Sequence, residues 1–280
     1  MYQKRYMLLL VLLLNIMLAM GQATVIKNID YLDAVDYGDN KDKLDIYMPA
    51  NAKEVPVIVY FHGGRLLDGN KDWAAPIAPE IVKAGIGLVS ANYRLSPEVQ
   101  HPAHVKDAAA ATAWVLKHIA HYGGDPKKVY VGGHSAGGYL AALLALDFTY
   151  LQDHDLEDTL AGAVIISPFL YVEETAKDRI EWKPVFKTIW GTDPEDWLKA
   201  SVSPHIKPNR NNFLLIYGDA DLEWRKLQVQ RFAQAMKTEV NENIQMFEIP
   251  DRTHTSLVYR FEKEEELIIR LIKNFVLNEN

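Results

Sequence analysis

A series of short, unbroken apolar runs constrains this chain more than any other feature of its sequence. Residues 56–61 are continuously apolar and rich in β-branched side chains, and residues 87–91, 129–131, 163–166 and 213–217 repeat the theme. A run with no polar side to show to water reads as a strand buried on both faces. Residues 44–48 read as a further strand. Residues 244–249 alternate more and belong nearer an edge. Between the runs lie helical patterns at residues 105–121, 136–147, 224–238 and 262–277, the first stopped by Gly123 and Gly124. Strands separated by helices of this length imply right-handed crossovers. The expected fold class is therefore α/β, a mostly parallel central sheet flanked by helices on both faces. At 280 residues the chain suits one sizeable domain and is short for two.

The first residues differ from the rest. Lys4 and Arg5 precede an uncharged run from Met7 to Met20, and small residues stand at Ala19 and Gly21. That pattern reads as a signal peptide, residues 1–21, cleaved after Gly21 to leave a domain at residues 22–280. The run is shorter than the roughly 20 residues that span a bilayer. The expectation is a periplasmic or secreted protein with no stable membrane anchor after cleavage. Losing Lys4 and Arg5 takes the net charge from −7 to −9. Such an acidic chain is a poor nucleic-acid partner, because phosphate contacts need clustered Lys and Arg. With no cysteine present, disulfides, thiolate metal sites and cysteine nucleophiles are all excluded.

The strongest local signal is Gly133-His134-Ser135-Ala136-Gly137, set between a strand pattern and a helix pattern. A serine at such a turn is lifted clear of the sheet, at the positive end of the helix dipole. The turn is too tight for side chains two residues to either side. Upstream, His62-Gly63-Gly64 follows the buried run ending at Phe61. Its backbone amides, with that of Ala136, are the expected oxyanion donors. Ser135 is the expected nucleophile. Of the histidines after it, His154 lies among aspartates and His205 in an irregular stretch. His254 follows the last strand pattern, at the sheet end where α/β folds place their chemistry. The acid must lie between serine and histidine. Asp219 and Asp221 both follow the run 213–217. Asp221 has the greater reach and is the expected acid, with Asp219 shaping the turn.

On these motifs, together with Asn92-Tyr93-Arg94-Leu95-Ser96-Pro97, His101-Pro102 and Asp125-Pro126, the chain resembles the α/β-hydrolase superfamily from about Leu44 to its C-terminus. The likeness is to the esterase/lipase branch related to hormone-sensitive lipase and bacterial carboxylesterases. It implies an α/β-hydrolase fold, a structural role for Arg94, and an acid at Asp221. Arg65 stands where the lipase-type motif has a third glycine, and that branch's large N-terminal cap is absent, which is closer to small capless esterases.

The expected function is ester hydrolysis through an acyl-enzyme, without cofactor or metal, on a small-molecule or glycan ester. Amide hydrolysis by the same triad and a non-catalytic binding role are the alternatives. Arg65 and Trp190 are candidate substrate contacts. Residues 171–212 break the alternation and hold Trp182, Phe186, Trp190 and Trp197. They read either as a partial lid or as packed surface helices. The pairs His101/His104 and His118/His121 have ligand-like spacing but no third ligand, and read as surface histidines.

Overall fold

The structure is a computed structural model, and it describes residues 23–32, 37, 39–156, 160–178, 183–207, 212–239, 244–261 and 266–278. The expected signal peptide at residues 1–21 and Trp182 lie outside the described residues. Eight strands form one sheet in the order β1-β2-β4-β3-β5-β6-β7-β8. They are β1 (Thr24–Asp30), β2 (Lys43–Met48), β3 (Val55–Phe61), β4 (Gly87–Ala91), β5 (Gly124–His134), β6 (Gly162–Ile166), β7 (Asn212–Gly218) and β8 (Ile244–Ile249). The β1–β2 and β2–β4 pairs are antiparallel, and the pairs from β4 through β8 are parallel. Among the described residues, each apolar run read as a strand is one, and the alternating run at β8 lies at the sheet edge. The run with no sequence signal was β1. It is the opposite edge strand, mostly exposed, so nothing forces a periodic apolar pattern on it.

Pleating sends alternate residues of the central strands to opposite faces. On one face Val57, Val59, Phe61, Val129, Val131, Ala163, Ile165, Phe213 and Leu215 pack beneath α2 (Ala103–His118), α3 (Ala136–Leu146) and α7 (Glu223–Glu239). On the other, Ile58, Tyr60, Tyr130, Val164, Ile166, Leu214 and Ile216 pack beneath α1 (Ala78–Lys83) and α8 (Leu267–Leu277). Burial on both faces is what makes those strands read as continuous apolar runs. Helix α3 is buried along its whole length, so its Ala- and Leu-rich sequence has no polar stripe.

The described part of residues 171–212 forms α4 (Val172–Asp178), α5 (Lys183–Trp190) and α6 (Pro194–Ala200). Asp193 caps α6 by accepting from the Glu195 amide, with Pro194 at the first helical position. Phe186, Ile189, Trp190, Ala200 and Val202 are buried in the core cluster shared with α3. The Tyr139 hydroxyl donates to the Ala200 carbonyl at 2.8 Å, tying the segment down. Among the described residues, no helix is long and apolar enough to cross a membrane.

The histidines at 101 and 104 differ from the surface reading. His104, in the first turn of α2 and on its core-facing side, is fully buried, with its Nε2 3.1 Å from the Ser96 hydroxyl. His118 and His121 lie near the surface with ring centroids 6.5 Å apart. No group of three metal-ligating side chains occurs among the described residues.

Candidate active site

Parallel strands deliver their carboxyl ends to one edge of the sheet, and four side chains meet there. Ser135 follows β5, Ser167 follows β6, Asp221 follows β7 and His254 follows β8. Ser135 caps α3 at φ 57°, ψ −116°, a strained conformation for a residue with a side chain. Close backbone approach dictates its neighbours. A Cβ on Gly133 would sit 2.5 Å from the Phe61 carbonyl oxygen, and one on Gly137 would sit 1.8 Å from it. The glycines are there so that the serine turn can press against the end of β3.

His254 Nε2 lies 3.0 Å from Ser135 Oγ, and Nδ1 lies 3.2 Å from Asp221 Oδ2. Asp219 is elsewhere, exposed, its carboxylate accepting from the Arg252 amide at 3.2 Å. The other oxygen of Asp221 accepts from the Leu222 amide at 2.7 Å and lies 3.3 Å from Arg225 Nε. Burial by itself would raise the Asp221 carboxyl. Hydrogen bonds from His254 and Ser167, with the Arg225 charge, overcome that and hold it down at about 2. For His254, burial is the largest influence and lowers the imidazole, with Arg225 adding to the drop and Asp221 opposing it. An ionised carboxylate thus faces a neutral imidazole whose Nε2 can accept the Ser135 proton.

The 62–64 loop lies across from the serine, and Gly63 and Gly64 line the same cavity as Ser135. Gly64 is at φ 105°, and a Cβ there would overlap the Asp68 carbonyl at 2.0 Å. Only glycine fits where this loop folds back. The Ala136 amide belongs to the first turn of α3, where no intrahelical carbonyl receives it. The loop is braced from behind. The His62 ring stacks on Tyr93 at 4.3 Å, and the Tyr93 hydroxyl donates to the His62 carbonyl at 2.8 Å. Arg94 grips Asp107 through Nε and Nη2 at 2.8 and 2.7 Å, which fixes the Tyr93 strand end to α2.

The cavity measures about 320 Å³, opens to solvent, and is walled by Trp73, Phe169 and Tyr259 as well as Arg65, Arg225 and Thr255. Arg65 therefore borders the serine, exposed and at φ 60°. Trp190 does not. It is 6% exposed and stands edge-on behind Phe169, ring centroids 5.7 Å apart, so it supports the wall from the core side. None of the described residues of the 171–212 segment lines this cavity.

Three residues were not singled out from sequence. Arg225 stands four residues after Asp221, the spacing of an ion pair on one helical turn, which was a usable signal. Ser167 carries a signal only in its position after a buried strand. His134 sits inside the serine motif. Its ring lies 4.4 Å from that of His254, and its Nε2 meets the His254 carbonyl at 2.8 Å. Burial lowers its pKa to about 3, so it is neutral and donates that bond.

Comparison with known proteins adds to this geometry. The BD-FAE family model matches residues 44–236. The esterase LipQ of Mycobacterium tuberculosis is 28% identical over 230 residues, covering 78% of this chain and 55% of its own length. The carboxylesterase NlhH of the same organism is 41% identical over 102 residues, covering 36% and 32%. The chain spans about half the length of the first of these curated relatives. Among solved structures, a propionate-bound thermophilic esterase, Est2 of Thermogutta terrifontis, superposes with a TM-score of 0.71 at 26% identity. That match covers 92% of this chain and 95% of the other. A truncated carbohydrate esterase from gut microbiota shares the fold at TM-score 0.74 and 21% identity, covering 91% and 95%.

Proposed function

The chain belongs to the BD-FAE family of α/β-hydrolase esterases, and from that premise we propose that it is a serine carboxylesterase acting through an acyl-enzyme. The observation that carries the reading is the linear hydrogen-bonded order Ser135 Oγ, His254 Nε2, His254 Nδ1, Asp221 Oδ2, at 3.0 and 3.2 Å. His254 takes the Ser135 proton as the hydroxyl attacks the ester carbonyl. Asp221 holds the imidazole in the tautomer with hydrogen on Nδ1 and stabilises the imidazolium that forms. The amides of Gly63, Gly64 and Ala136 receive the oxyanion. The imidazolium then protonates the departing alcohol, and a water activated by the same base releases the acid.

The substrate of this reading is a small or carbohydrate-linked ester. The open cavity and its apolar walls suit a modest acyl group on an alcohol that extends into solvent. The basic start, apolar run and small residues of positions 1–21 support a location outside the cytoplasm, and mature protein beginning at Gln22 is the expected result of N-terminal sequencing. Protein still beginning at Met1 would contradict export.

The test of the activity is hydrolysis of p-nitrophenyl acetate by the parent and by Ser135→Ala. The parent is active, and the variant loses about 10⁴-fold or more in kcat. Near-normal turnover by the variant would sink the assignment. A panel of short-chain aryl esters against acetylated sugars then ranks the alcohols.

A further inference from the structure

The imidazole of His254 has two acceptors on its Nδ1 side, and the nearer is not the aspartate. Ser167 Oγ lies 2.7 Å from Nδ1, against 3.2 Å for Asp221 Oδ2. The same hydroxyl donates to Asp221 Oδ2 in a short hydrogen bond. An ionised carboxylate only accepts, so the single Ser167 proton must point at Asp221. That leaves an Oγ lone pair for Nδ1–H, and both bond directions are fixed. We propose that Ser167 is a positioning residue for the reaction read above: its hydroxyl bridges Asp221 and His254, selects the Nδ1–H tautomer, and tempers the carboxylate's pull on the imidazole.

The backbone is arranged to hold that hydroxyl in place. Ser167 is completely buried, at φ 46°. Its amide donates to the Ile216 carbonyl at 2.7 Å, and its carbonyl receives Arg225 Nη1 at 3.3 Å. The carbonyl of the preceding residue, Ile166, accepts from the Ser135 amide at 2.9 Å. One dipeptide therefore links the nucleophile's turn, the acid's strand and the arginine beside the acid. A left-handed backbone disfavours a residue with a Cβ, and here the side chain present supplies the bridge. The groups facing His254 are Asp221 and Ser167 from the ends of β7 and β6, Arg225 from α7, and neutral His134 from β5. Ser167 is the uncharged member that touches both acid and base.

The consequence is specific. A hydroxyl donating to the carboxylate neutralises part of the charge that would otherwise attract the imidazolium. Its removal leaves the triad with one 3.2 Å contact for orientation and an untempered carboxylate. Turnover should fall by about 10- to 100-fold, the usual effect of losing one charge-assisted hydrogen bond, with KM little changed. The acid limb of kcat/KM, which follows His254, should move to higher pH.

The experiment compares the parent, Ser167→Ala and Ser167→Gly on p-nitrophenyl acetate across pH, with thermal melts of each. Both variants lack the hydroxyl, but glycine also relieves the positive φ. The proposal expects equal losses of kcat and equal shifts of the acid limb, whatever the difference in melting temperature. Unchanged kcat, an unmoved acid limb, or losses that track the melts would overturn it. Fluorophosphonate labelling followed by peptide mapping separates this failure from failure of the triad reading. Label on Ser135 in parent and variants keeps the triad, whereas label on Ser167 in the parent would overturn both.

Discussion

Mild acid should destabilise this protein well above the range in which its carboxylates titrate. Burial, the largest influence in each case, lowers His62 and His101 to about 4 and His104 and His134 to about 3. In the unfolded chain all four take up protons as the pH falls through about 6.5; in the folded chain they stay neutral until near those depressed values. Stability is therefore complete above about pH 6.5 and is lost as the pH drops toward 4. At about pH 5 each unfolded histidine is favoured by about 2 kcal/mol, from 1.5 units at 1.36 kcal/mol each. Four acting independently give roughly 8 kcal/mol, comparable with the whole stability of a typical domain. Coupling between His101 and His104 trims that sum, since a charge on His101 is part of what lowers His104. Asp221, held at about 2, titrates below the window. Urea unfolding followed by tryptophan fluorescence reads the effect. With a slope near 3 kcal/mol per molar, the midpoint should fall by about 2 M between about pH 7.5 and 5. His104→Gln, which keeps a donor toward Ser96 without a titrating ring, should weaken the dependence by about one proton. A midpoint that moves by less than about 0.5 M would refute the reasoning.

Asp221→Asn keeps the shape of the acid but removes its charge and lets an amide donate toward Nδ1, so kcat should fall by about 10³–10⁴-fold with an unchanged circular dichroism spectrum. A loss under about tenfold would remove Asp221 as the orienting acid. Gly137→Ala places a Cβ 1.8 Å from the Phe61 carbonyl oxygen, a backbone overlap that α3 can relieve only by moving. It should cost about 3 kcal/mol or more, read as a thermal melt lowered by several degrees or as failure to fold; a parental melt would contradict the close approach. Arg65→Ala should raise KM for anionic esters relative to neutral ones, since Arg65 borders the cavity, and an unchanged preference would take Arg65 out of recognition.

Much of the fold was readable because burial on both faces leaves a blunt mark. Residues 56–61 and 213–217 could hardly be anything but central strands, and the ends of such strands locate the chemistry. β1 was silent for the opposite reason: an exposed edge strand needs no pattern. Residues 171–212 were ambiguous because their aromatics do two jobs by sequence and one in space. Trp190 packs inward against Tyr139, Phe169 and Phe186, and neither Phe186 nor Trp190 lines the cavity. Ser135, Asp221 and His254 had motif or strand-end signals. Arg225 carries a local signal, four residues after Asp221, whereas Ser167 does not stand out, because a buried serine after a strand is commonplace until the sheet brings it to that carboxylate. His104 is polar by local pattern, and its burial comes from the packing of the α2 face that carries it, which is a tertiary event.

Ser135 as the nucleophile is the feature on which every catalytic role above depends. Fluorophosphonate labelling of the intact protein, with the adduct mapped by peptide mass spectrometry, should place one label on Ser135 and none on His254→Ala. No label, or a label on any other serine, would contradict it.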